Sequence, residues 1–148
     1  MNKKGITGII LAGGKSKRMG TEKGLINFRG KTMIQYAIEV LEPICDQIII
    51  SANSNSYDAL PYPKFSDIFP NSGPMGGIYT GLLNSRNDLN LVLSCDMPFI
   101  KADLLNDLVL NADGNDIVVP WHRSKHFEPM CALYRKSVDS VFMDFIKI

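Results

Sequence analysis

Ile6-Thr7-Gly8-Ile9-Ile10-Leu11-Ala12-Gly13-Gly14-Lys15-Ser16-Lys17-Arg18-Met19-Gly20 is the most informative stretch of the chain. Its first six residues are a short β-branched, apolar run, the pattern of one buried strand. From Ala12 the run gives way to glycines and then cations, whose glycines forbid regular structure. A strand that empties in this way is a recurring means of holding phosphate. Glycine lets the backbone approach closely and turn its amides toward the anion, forming a nest. Two common phosphate loops fail on spacing. Gly13, Gly14 and Gly20 do not fit the G-x-G-x-x-G dinucleotide fingerprint. Gly8 and Gly13 have the separation of a P-loop, but Gly14 stands where that loop requires lysine.

Beyond this stretch the sequence alternates helices with strands. Thr32 and Gln35 fit a capping box, and Met33, Ile34, Ala37, Ile38 and Leu41 follow the helical period until Pro43 closes the helix. Gln47 to Ala52, with three consecutive isoleucines, reads as a second buried strand. Asn53 to Pro74 is turn-rich, with a short strand near Phe65. Gly76 to Leu83 reads as a second helix and Leu91 to Ser94 as a third strand. A helix from Ala102 to Leu110 and a strand at Ile117 to Val119 follow. Trp121 to Glu128 reads as a polar loop, Met130 to Tyr134 as a further strand, and the tail from Val138 has helical spacing. Such alternation predicts an α/β fold: a Rossmann-like three-layer sandwich with a mostly parallel central sheet.

Composition excludes several classes. The 148 residues suit one domain, and the formal charge of +1 provides no broad basic field for nucleic acid or an anionic membrane. Any bound anion must be held locally. No apolar run approaches the ~20 residues of a membrane helix, and Ile9 to Ala12 is too short for a signal-peptide core. Three widely spaced cysteines, Cys45, Cys95 and Cys131, are unlike a disulfide framework and point to the reducing cytoplasm.

Two carboxylates stand out. Asp96 follows the apolar run Leu91-Val92-Leu93, and Pro98 forces a turn after it. Ligands of open parallel sheets bind beyond the carboxyl ends of strands, so Asp96 suits a Mg²⁺ ligand sharing the ion with phosphates and water. Capping of the next helix is the competing role, for which Asp103 is better placed. Asp67 precedes Ile68-Phe69-Pro70 and then Gly73-Pro74-Met75-Gly76-Gly77-Ile78; a surface turn is its competing role.

Leu11-Ala12-Gly13-Gly14, Ser16, Arg18-Met19-Gly20 and Lys23 together resemble the opening signature of the nucleotidyltransferase superfamily, most closely that of the molybdenum cofactor guanylyltransferases. Cys95-Asp96-Met97-Pro98 is similar to that family's metal motif. The resemblance implies the nucleotide-diphospho-sugar transferase type of fold over residues 1–148. It also implies that the chain lacks the family's C-terminal segment, which usually carries N-x-N-T-P near the cofactor-side pocket. Leu11, Ala12, Gly13 and Gly14 would bind the nucleotide, Arg18 and Lys23 would neutralise the triphosphate, and Asp96 would hold Mg²⁺. Asp67 would hydrogen-bond the guanine edge or ribose. Lys15 and Lys17 fit no required position. Met75 and Gly76 replace the family's usual leucine and alanine, and Ser51, with Asn53 two residues on, takes the slot of a nucleotide-contacting asparagine.

The activity implied is transfer of GMP from GTP to molybdopterin cofactor with release of pyrophosphate. It carries with it transient contact with the proteins that deliver the molybdenum cofactor. Cytidylyl transfer, transfer to a sugar phosphate, and a catalytically silent nucleotide-binding module are the competing readings. Leu-Ala-Gly-Gly favours GTP by resemblance, since many pyrimidine users read L-A-A-G there. His122 and His126, four apart near Glu128, lack the helical stripe that would align them on zinc. Cys45 and Cys131 read as core residues.

Overall fold

The computed structural model describes residues 5–13, 22–123 and 125–146. In chain order its elements are β1 (Ile6–Leu11), a 3-10 turn at Lys23–Leu25, β2 (Asn27–Phe28), β3 (Lys31–Thr32), α1 (Met33–Leu41), β4 (Gln47–Ser51) and β5 (Lys64–Phe65). Then come α2 (Gly73–Asn84), β6 (Leu89–Ser94), α3 (Ala102–Leu110), β7 (Ile117–Val118), β8 (Trp121–His122), β9 (His126–Phe127), β10 (Cys131–Arg135) and α4 (Asp139–Ile146).

Six strands form one sheet in the order β5-β4-β1-β6-β10-β7. β5, β4, β1 and β6 run parallel, and β10 is antiparallel to both of its neighbours. The expected mostly parallel sheet is therefore present, with one reversed strand. Side-chain alternation divides the core into two layers. Ile10, Ile48, Ile50, Leu91, Leu93 and Leu133 meet α1 and α3 through Ile34, Leu41, Leu105 and Leu108. Ile9, Leu11, Val92, Ala132 and Tyr134 point the other way, onto Ile78 and Leu82 of α2 and Phe142 of α4. No helix among the described residues is long and apolar enough to cross a membrane.

α1 begins where the capping box places it: Thr32 N–H donates to Gln35 Oε1 at 2.9 Å, and the Gln35 backbone returns a bond to the Thr32 side chain. α2 starts at Gly73, three residues before the expected Gly76. Pro74 stands in its first turn, where a missing N–H costs nothing, and the helix forms despite four glycines because Gly76, Gly77 and Gly81 admit close contacts. Trp121 to Glu128 is not a plain loop: β8 and β9 pair Trp121 with Phe127 and His122 with His126. β2 and β3 make a second hairpin, whose Arg29 and Gly30 have φ of 51° and 88°. Positive φ at both central residues matches the right-handed twist of the flanking strands.

The tightest helix–sheet approach is at Gly81, where a Cβ would lie 2.5 Å from Ile9 Cγ2 and 2.8 Å from its Cδ1. Ile9 is fully buried and β-branched, so it has no rotamer into which to retreat. Gly81→Ala is therefore expected to destabilise by up to about 2 kcal/mol net, overpacking of about 1–3 kcal/mol being offset by the ~1 kcal/mol gained in helix propensity. The midpoint of urea unfolding would register it; an unchanged midpoint would mean that α2 slides freely on the sheet.

Candidate functional site

Three parallel strands end in step. Leu11 at the end of β1 is in register with Ser51 of β4 on one side and Ser94 of β6 on the other. The chain leaving β1 stays pinned between its neighbours: Ala12 N–H donates to Ser51 O at 2.9 Å, and Cys95 N–H donates to Leu11 O at 3.0 Å. Gly13 then emerges exposed above the sheet edge. This is the carboxyl edge of the parallel strands, where open α/β sheets take their ligands.

A cavity of about 470 Å³ opens over this edge. Leu11, Gly13, Ser51 and Ser94 contribute its floor, Asn53 and Asp67 one side, and Pro74 and Gly77 of α2 a wall. The volume suits a nucleoside, within the ~300–1,000 Å³ typical of small-molecule sites. The wall comes close because Gly77 has no side chain: a Cβ there would lie 3.1 Å from Ser51 Oγ and 3.2 Å from Leu11 Cδ2. Gly76 is constrained in a similar way. Its Cβ would sit 3.0 Å from Ser72 Cβ and 3.2 Å from Phe69 O, so glycine suits the place.

Asp67 is half-buried, and three hydrogen bonds with Asn53 and Ser51 hold it. Its N–H donates to Asn53 Oδ1 at 2.8 Å, Asn53 Nδ2 reaches its Oδ2 at 3.4 Å, and Ser51 Oγ reaches its Oδ1 at 3.4 Å. The next residue is tied to α2, Ile68 N–H donating to the buried Thr80 Oγ1 at 3.1 Å. Both side-chain bonds to the carboxylate are long, so its lone pairs stay free for stronger donors.

Asp96 stands exposed just past β6, on the other side of the β1 exit. Ser94 Oγ donates to its Oδ1 at 2.6 Å, and among the described residues its Oδ2 has no protein donor. Lys23, also exposed, lies on this side. Burial pushes the neighbouring Cys95 thiol up to about 12, Asp96 adds to the rise, and the Lys23 charge opposes it. Cys95 is thus a neutral thiol at ordinary pH and no nucleophile. Burial likewise raises Cys45 to about 12 and Cys131 to about 11, as core thiols.

The expected residues therefore fall into two groups on either side of Leu11, Ala12 and Gly13: Asp67 lines the cavity, while Asp96 and Lys23 flank it. Gly14 and Arg18, with Lys15 and Lys17, lie outside the described residues. Two contacts had no local signal in the sequence. One is the Asn53 amide cradling Asp67. The other is an edge-on contact of Phe28 with Phe99, centroids 5.7 Å apart, joining the hairpin after Lys23 to the loop after Asp96.

Residues 8–144 match the family described as the MobA-like NTP transferase domain. The chain is 39% identical over 133 residues to a protein of Flavobacterium johnsoniae named probable molybdenum cofactor guanylyltransferase, covering 90% of this chain and 70% of that one. It is 42% identical over 134 residues to the molybdenum cofactor guanylyltransferase of Vibrio vulnificus, covering 88% and 68%. Among solved structures, molybdopterin-guanine dinucleotide biosynthesis protein A of Archaeoglobus fulgidus superposes with a TM-score of 0.78 at 24% identity, over 95% of this chain and 73% of that one.

Proposed function

The chain belongs to the family of MobA-like NTP transferase domains, and from that premise we propose that it transfers GMP from GTP to molybdopterin cofactor, forming molybdopterin guanine dinucleotide. A terminal phosphate oxygen of the acceptor attacks the α-phosphorus in line. The bond from that phosphorus to its bridging oxygen breaks, and pyrophosphate leaves with the electron pair. An anionic acceptor phosphate needs little deprotonation. The protein's work is to position two anions and to screen their repulsion.

The observation that carries this reading is the pair of carboxylates on opposite sides of the pinned β1 exit, one in a nucleoside-sized cavity and one outside it. The base would enter the cavity beside Asp67, whose carboxylate accepts N–H donors of the guanine edge or a ribose hydroxyl. Leu11, Ala12, Gly13 and Gly14 would carry the nucleotide along the sheet edge, and Lys23 and Arg18 would meet the triphosphate. The donor chemistry at Asp96 fits Mg²⁺: an exposed hard oxygen donor, with no cluster of three or more metal-binding side chains among the described residues, suits an ion that keeps waters and phosphates as ligands. Bound there by Asp96, Mg²⁺ would act as a Lewis acid on phosphate oxygens. Ser94 orients that carboxylate through its hydroxyl.

Thermal shift with a panel of nucleotides, alongside an assay of pyrophosphate release with molybdopterin cofactor as acceptor, tests the reading. GTP should stabilise most, and stronger stabilisation by CTP or UTP would overturn the base assignment. Asp67→Ala is expected to weaken GTP binding about 10–100-fold, the loss of charge-assisted hydrogen bonds of about 1.5–3 kcal/mol. Calorimetric titration would measure it, and unchanged affinity would remove Asp67 from the nucleotide site.

A further inference from the structure

The β8–β9 hairpin has an exposed aromatic face. Trp121 and Phe127 are directly opposed across its two strands, and they remain 62% and 66% exposed. Opposed residues of an antiparallel pair project to the same side, so the two rings share one face. Large aromatics are costly to leave in water, and neither ring belongs to either core layer, so beyond their cross-strand pairing the two are left facing solvent. Between them the turn carries Arg123 and Lys125, both exposed, and neither has a carboxylate partner among the described residues. An aromatic platform beside unpaired cations is complementary to a flat heterocycle that carries a phosphate.

The hairpin's position points to the same ligand. Glu128 N–H donates to Pro120 O at 3.2 Å and closes its base. Two residues on, Met130 lines the nucleotide cavity, and its carbonyl accepts Ser94 N–H at 2.9 Å. The platform thus rises directly from the rim at Ser94, the residue that holds Asp96. That rim belongs to the β6 and β10 side of the cavity, whereas Asp67 bonds to Ser51 at the end of β4.

We propose that Trp121 and Phe127 form the acceptor subsite, stacking a pterin ring while Arg123 and Lys125 draw in its phosphate. This rests on the guanylyl-transfer reading and adds the residues that select the second substrate.

Trp121 is the one tryptophan of the chain, so its fluorescence reports directly on the platform. The probe is a pterin phosphate monoester, titrated with the nucleotide cavity filled by a GTP analogue with a carbon α,β-bridge, so that the pterin cannot occupy the guanine site. Saturable quenching is expected, weakened about tenfold in apparent affinity by Phe127→Ala and by the double change Arg123→Ala with Lys125→Ala. Inorganic phosphate alone should not quench. In turnover, Phe127→Ala should raise the acceptor KM about tenfold without a matching rise for GTP. These side chains are exposed, and the thermal midpoint of each variant checks its fold. No response to pterin phosphate, with the GTP analogue bound normally, overturns the proposal. So does a Trp121 emission that instead follows protein concentration and dimer formation, which would assign the rings to a contact between copies. If the unchanged protein quenches with pterin phosphate but transfers no GMP, the platform stands and the transfer reading falls.

Discussion

Asp96→Ala and Asp96→Asn are both expected to lower GMP transfer about 10³-fold or more, the loss of several kcal/mol of charge stabilisation at the α- and β-phosphates. The two variants separate charge from architecture. Asparagine keeps an oxygen to accept from Ser94 Oγ, so the turn after β6 retains its tie, while the negative charge that recruits a cation is gone. Because Asp96 is exposed and among the described residues bonded only to Ser94, neither change should move stability by more than about 0.5 kcal/mol. Steady-state turnover across a Mg²⁺ titration measures the effect. An Asp96→Asn variant that retains a tenth of the parent rate would remove the carboxylate from the reaction.

Lys23→Ala should cost about 10²–10³ in kcat, the usual consequence of removing one charge aimed at a developing anion. The ammonium has no structural duty: it is exposed and among the described residues forms no ion pair. Its location is nonetheless fixed from beneath. Gly24 rests so close to the buried Tyr57 that a Cβ would fall 2.7 Å from the tyrosine hydroxyl. The 3-10 turn is thus seated on an aromatic ring, and the lysine is held above it. Lys23→Arg should restore little, since the guanidinium is planar and longer where a compact point charge is wanted. Full activity of Lys23→Ala, with pyrophosphate release as the readout, would reassign the leaving-group cation.

The strongly periodic elements could be read directly from the chain. β1, α1 with its capping box, and α3 lie where the apolar spacing and cap residues put them, because each has enough residues for periodicity to register. What escaped was short or non-local. β2 with β3 and β8 with β9 are two-residue strands, too brief to alternate visibly, and the first turns on Arg29-Gly30 rather than a familiar Asn-Gly. The start of α2 was hidden because Gly-Pro-Met-Gly-Gly resembles a loop; only the surrounding contacts show that Gly76 and Gly77 let a helix press against Phe69 O, Ser51 and Leu11. Asp67 and Asp96, on either side of the β1 exit, stand in motifs that are legible in the chain. The Asn53 cradle on Asp67 spans 14 residues, and the Phe28–Phe99 contact joins segments far apart in the chain. Neither leaves any trace in local pattern.

The two amide bonds that pin the β1 exit have a dynamic consequence. Ala12 N–H and Cys95 N–H each lock one strand end to the next, and both belong to buried residues although Gly13 and Asp96 just beyond them are exposed. Parting these strand ends breaks both bonds together, so the two hydrogens should exchange more slowly than amides of the exposed loops beyond them. The β1 exit is therefore held from both sides. Any adjustment during turnover falls to what is attached around it: the turn bearing Lys23, the loop bearing Asp96 and the aromatic hairpin.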